Sequence, residues 1–213
     1  RKPLTAGRLP SRRFLPFEGR FPLQANYELF SGRTRSAIKT LDQISIWSGK
    51  AFAWLIIPMV LCLVYEVFAR YLFNAPTLWA YDMTYMLYGT HFMLGAAYTL
   101  AMQGHIRTDF FYRLWPVRWQ GTIDSFLYIF FFFPALALWL WAGYDYAAIS
   151  WVRGEVAISS PWKPIIYPFK TVMPVTTVLL MLQGIAELAK SLYAARYGKW
   201  PIIGTEIDDG EQI

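Results

Sequence analysis

The 213-residue sequence has one cysteine, two histidines and little charge. Cys62 alone cannot close an internal disulfide, so packing must hold the chain together. Catalysis needs a nucleophile with a base, or a metal with its ligands. Neither set can be assembled from Cys62, His91 and His105, so no enzyme is expected and no catalytic, cofactor or metal residue is assigned. Charged residues make up only 16% of the chain, against about 25% in an ordinary soluble domain. No repeat at transporter-half scale is visible. A carrier working alone, with a midplane site built from paired broken helices, is therefore not expected. The first forty residues contain no long apolar run, so no cleavable signal peptide is expected and the first span should stay as an anchor.

Apolar and aromatic residues are abundant, at 56% and 19%. Four apolar windows, Ala51 to Phe73, Trp79 to Met102, Ser125 to Tyr144 and Thr171 to Ala186, approach the roughly 20 residues that cross a bilayer. The expected fold is an all-α integral membrane protein with four transmembrane helices, spanning about 44–73, 79–102, 120–150 and 168–197. Lys170 and Glu187, flanking the fourth window, are read as snorkelling to the interface. Residues 41–200 form this membrane domain. Residues 1–40 hold nine Lys or Arg against two acids and are broken by four prolines, which reads as a basic, aromatic arm on lipid headgroups or a partner subunit, with no nucleic acid. Residues 201–213 read as an acidic, disordered tail.

Three ionisable groups interrupt the first apolar pair. Glu66 and Arg70 are four apart, on one helix face and in the favourable order. Asn74, Pro76 and Trp79 set a tight turn, with Thr77 able to cap the next helix. Asp82 would then return to the depth of Arg70, giving a polar clasp of Glu66, Arg70 and Asp82, either structural or facing a partner.

Positive charge gives the topology. Arg107, Arg113 and Arg118 lie in one connection and Lys190, Arg196 and Lys199 near the end, while 74–78 has none and 152–169 only Arg153 and Lys163. Both termini are therefore expected in the cytoplasm. Residues 104–115 have the spacing of a short cytoplasmic interfacial helix. Pro58, Pro134 and Pro174 should bend their helices or free a carbonyl. Gly89, Gly95, Thr99, Ala135, Ala142 and Gly143 are candidates for close helix approach. Phe130 to Phe133 cover every side of their helix and must meet lipid or another protein. His91 reads as a polar packing residue bonded across helices. Two other readings fit the composition: a haem-binding membrane anchor of a redox complex using His91 and His105, and an independent small channel. His91 falls mid-span and His105 at the interface, which is poor placement for one iron.

The pattern Phe68-x-Arg70-Tyr71-x-Phe73-Asn74-x-Pro76-x-x-Trp79-x-x-Asp82, then Gly95-Ala96-Ala97-Tyr98, then Gly104-His105-Ile106-Arg107-x-Asp109, resembles the small membrane subunit (DctQ-type) of tripartite ATP-independent periplasmic (TRAP) transporters. The resemblance runs from about Ile44 to Tyr197. It departs from the family in having Asp82 where glutamate is usual, and in its long basic arm. The resemblance implies a scaffold in the bacterial inner membrane, beside a larger DctM-type subunit that holds the substrate and sodium sites. A periplasmic binding protein would deliver an organic acid, and uptake would run on the sodium gradient, with no cofactor in this subunit. On that basis His105, Arg107 and Asp109 would fix the cytoplasmic loop against the large subunit or lipid, and Arg153, Trp162 and Lys163 would touch the binding protein.

Overall fold

The computed structural model describes residues 24–25, 30, 32–102 and 115–203. The regular structure of the described residues is helical apart from a two-residue ribbon and one isolated bridge. Helix α1 is Gly32–Ala53, α2 is Ile56–Leu72, α3 is Ala80–Ala101, α4 is Val117–Arg153 and α5 is Tyr167–Tyr197. The last three agree with the expected spans to within three residues at each end. The first does not: α1 begins at Gly32, so the end of the stretch read as an arm is helical. The rest of that arm apart from residues 24–25 and 30, the tail after residue 203 and most of the expected interfacial helix lie outside the described residues. Strand β1 (Gln24–Ala25) pairs antiparallel with β2 (Ile202–Ile203), and the Phe30 ring stands 5.0 Å from that of Tyr193. The segments before α1 and after α5 therefore lie together at one end of the molecule.

Each interior proline leaves a local mark. Pro58 has no amide to give the Trp54 carbonyl, so the Ile57 amide takes it at 3.2 Å. The tightening runs back a turn, with Leu55 donating to Phe52 at 3.1 Å and Trp54 to Ala51 at 3.3 Å, and this is the break between α1 and α2. In α4 the turn Tyr128–Phe132 is π-helical, with the Phe133 amide donating to the Tyr128 carbonyl. Pro134 follows directly and has no amide to give the Phe130 carbonyl, the partner that a regular α-helix would assign it. Pro174, inside α5, packs beside Gly143 of α4.

Among the described residues three segments, Gly32–Leu72, Val117–Arg153 and Tyr167–Tyr197, are long and apolar enough to cross a membrane. Helix α3, expected as a span, stands where the sequence places it but falls short of that hydropathy, because Asp82, Thr84, Thr90, His91 and four tyrosines dilute its apolar residues.

Helix α5 is the hub, packed against α1, α3 and α4, while α2 leans mainly on α3. The core is made of small side chains: Ala69, Ala80, Ala97, Ala147, Ala186 and Ala194 are buried, with Leu94 and Leu100 among the few large ones. That is the packing of helices in lipid, where close backbone approach replaces the hydrophobic drive. A Cβ on Gly121 would lie 2.4 Å from the Ala195 backbone nitrogen, so no other residue lets α4 and α5 meet there. Gly89 lies under the Phe169 ring and Gly184 against Phe132. Three expected contacts differ: Gly95 faces open space, and Ala135 and Ala142 are exposed, because the face α4 turns to α5 runs through Gly143, Ala147 and Ser150 instead. Phe130 and Phe131 point outward.

Candidate functional site

The hairpin between α2 and α3 is fastened by one carboxylate. Glu66 accepts from Arg70 Nε at 2.9 Å and Nη2, and from both the amide (3.0 Å) and the hydroxyl of Thr77 across the turn. Thr77 Oγ1 accepts the Ala80 amide at 3.4 Å, capping α3. Asn74 adopts a left-handed φ of 56°, which asparagine tolerates, and the Ala75 amide closes the turn on the Ala69 carbonyl at 2.9 Å. Pro76 follows on the surface, and Trp79 packs on Tyr65 with ring centroids 5.6 Å apart.

Asp82 does not join this clasp. Its Oδ2 accepts from the Ser160 hydroxyl, in the connection between α4 and α5. The reason is local: Arg70 is satisfied within its own helix by Glu66 and keeps 51% of its side chain exposed, while Asp82, in the first turn of α3, faces the neighbouring connection.

That connection is itself a small built structure. Gly154 ends α4 with a φ of 58°, Val156 bridges Ile165, and Lys163 sits at a φ of 51°. Lys170 Nζ lies 2.5 Å from Glu155 and 3.9 Å from the centre of the Tyr146 ring. The hydrogen bond from Lys170 holds the Glu155 carboxyl below the usual glutamate range. Trp151 donates to Thr171 at 2.7 Å. Lys170, read as snorkelling, is thus buried and paired. Arg153, Trp162 and Lys163 are all exposed around this connection. His105, Arg107 and Asp109 lie outside the described residues.

A second polar centre was missed from the sequence. Lys190 of α5 lies 3.0 Å from Asp42 of α1 and 2.7 Å from Glu187, and the Gln183 amide nitrogen donates to the same two carboxylates at 2.8 and 3.1 Å. All four side chains are buried. Glu187 therefore does not snorkel, and Lys190 is not the free surface charge used in the topology argument, because each neutralises the other inside the bundle. The signal was present: Gln183, Glu187 and Lys190 repeat at helical spacing, and Asp42, Ser45 and Gly49 put small and polar residues on one face of α1.

His91 bonds across helices, its Nδ1 donating to the Phe52 carbonyl at 3.0 Å. The chemistry of all these groups is fastening: charges are spent on one another and on backbone.

The family model described as tripartite ATP-independent periplasmic transporters, DctQ component, matches residues 59–193, well over half of the chain. The chain belongs to the DctQ family. The comparison with curated proteins finds no match. A DctQ component is part of a transporter, not an enzyme family, and with its apolar helices this DctQ chain is a multi-pass inner membrane protein. The matched region takes in the Glu66 clasp, the α4–α5 connection, Gln183, Glu187 and Lys190, and leaves Asp42 outside it.

Proposed function

We propose that this DctQ component is the scaffolding small membrane subunit of a sodium-coupled TRAP-type secondary transporter. It supports a large DctM-type transport subunit during uptake of an organic acid delivered by a periplasmic binding protein. The observation that carries this reading is the contrast between inside and outside. The charges of the hairpin clasp, of the α4–α5 connection and of the buried centre are paired within the chain, while α2 buries only Ala69 and leaves Leu61, Val64, Phe68, Tyr71 and Leu72 bare. Exposed apolar area on that scale marks a lipid or protein interface.

In this reading α3 is a fourth span, kept in the membrane by its packing against α1, α2 and α5, and both termini are cytoplasmic. The pairing of β1 with β2 supports that arrangement, since it needs an even number of crossings. Arg153, Trp162 and Lys163 then face the periplasm and touch the binding protein, and His105, Arg107 and Asp109 fix the cytoplasmic loop. Substrate and sodium sit in the large subunit alone. The test is uptake by reconstituted vesicles: all three proteins together accumulate substrate on a sodium gradient, and this chain alone passes no ion. Flux from the chain alone would favour a channel instead.

A further inference from the structure

Helix α1 runs antiparallel to α5, since Phe30 meets Tyr193 and Asp42 meets both Lys190 and Gln183. The charge-free run of α5, Thr171 to Ala186, therefore ends at the level of Asp42. Alongside that run, Ile44, Trp47, Ala51 and Phe52 of α1 with Val175 and Leu179 of α5 line an apolar groove of about 750 Å³, within the range of small-molecule sites. From Ile44 to Phe52 it covers roughly 12 Å of helix, close to the half of a 30 Å hydrocarbon core that one leaflet fills. On the other side of Asp42 a smaller hollow bordered by Arg33, Ser36 and Thr40 continues it, Thr40 lining both. That part covers about 10 Å, the room of a headgroup region.

Charge along this path has one sign. Arg33, Lys39 and Lys50 are exposed, whereas Asp42, the one acid of α1, is buried against Lys190. Lys39 stands beside the path, three residues from Ser36 and four from Gln43. Lys50 borders the apolar part, but helical side chains lean toward the N-terminus and a lysine stem snorkels, so its ammonium is carried back toward the charged end. The hollow on α2, by contrast, is lined by Leu61, Cys62, Tyr65, Phe68 and Trp79 with no cation among its described residues.

We propose that the groove between α1 and α5 holds one anionic phospholipid, an acyl chain lying along Ile44 to Phe52 and the phosphate resting at Arg33 and Lys39. The order of polarity selects this occupant. A partner's transmembrane helix could fill the apolar part, but the path turns cationic just where α5 leaves its charge-free run, and that is the depth of a lipid phosphate. A lipid whose headgroup carries its own amine answers those cations less well than one with net negative charge. The site stands apart from the scaffold reading, because both helices that form it belong to this chain.

The test uses the full chain, with whatever accompanies it from its native membrane in mild detergent, and native mass measurement with added phosphatidylglycerol or phosphatidylcholine of matched chains. One phosphatidylglycerol should stay bound per chain, retained about tenfold or more over phosphatidylcholine. Arg33→Gln combined with Lys39→Gln should abolish that preference. Ala51→Trp, which fills the apolar part from an exposed position, should weaken retention of both lipids. Glycerol phosphate should displace neither, which separates a lipid site from a site for free phosphate. A photoreactive residue placed at Trp47 in intact membranes should cross-link to lipid. Equal retention of the two lipids by the native chain, a preference that survives the double glutamine variant, displacement by glycerol phosphate, or cross-links from position 47 to protein alone would each overturn the inference. Should the double variant fail to fold, Ala51→Trp still decides: unchanged retention there refutes the groove.

Discussion

The imidazole Nδ1 of His91 lies 3.0 Å from the Phe52 carbonyl, within the tightened turn by which Pro58 breaks α1 from α2. The proline strains the helical ladder of one helix, and a histidine on the next meets the loosened carbonyl. His91→Phe should cost about 0.6–1.7 kcal/mol of stability in detergent, the range of hydrogen bonds between membrane helices. Adding Pro58→Ala, which lets the ladder close, should make that loss smaller. Thermal unfolding of the four proteins of the double-mutant cycle measures the coupling, and strict additivity would separate the two features.

The buried centre on α1 and α5 should respond to charge rather than to size. Lys190→Met leaves Asp42 and Glu187 facing each other without a cation and should cost about 3–5 kcal/mol. Glu187→Gln keeps the shape and leaves Lys190 paired with Asp42, so it should cost much less. Denaturant midpoints of the two variants in the same detergent give the comparison, and equal losses would contradict it.

Helix α5 and the hairpin were largely legible in the sequence, because long apolar runs and the Asn74, Pro76 and Thr77 turn residues act locally. The partners of the charges were not. Asp42 and Lys190 are far apart in the chain and meet only because α1 extends back to Gly32, a start that the basic composition of that region concealed. In the sequence only depth pairs Asp82 with Arg70, and depth does not say which side of α3 the side chain leaves. Gly95 and Gly121 are the same residue type, and only the packing tells an idle glycine from a necessary one.

That difference is measurable. Gly121→Ala drives a methyl into the backbone of α5 and should cost about 1–3 kcal/mol, the usual range for overpacking. Gly95→Ala meets nothing and should stabilise the interior of α3 by roughly 0.5–1 kcal/mol. Melting temperatures that move the same way for both would refute the assigned contacts.

The Glu155 and Lys170 pair predicts a pH response in the α4–α5 connection. A carboxyl held below its ordinary range contributes stability that is complete above the unfolded value, about 4.3 for glutamate, and is lost as pH falls through the lower folded value. Amide exchange over residues 154–166 should therefore stay slow down to that point and quicken below it. In Glu155→Gln the exchange should be faster at neutral pH and lose its acid step.

Isolation of the tagged chain from its native membrane in mild detergent, followed by native mass measurement, bears most directly on the role of this DctQ component. A stable assembly with a large membrane subunit, resistant to washing and present in a fixed ratio, is the expected result. A folded chain that leaves the membrane alone, its α2 and α4 faces covered only by detergent and lipid, would contradict the scaffold role.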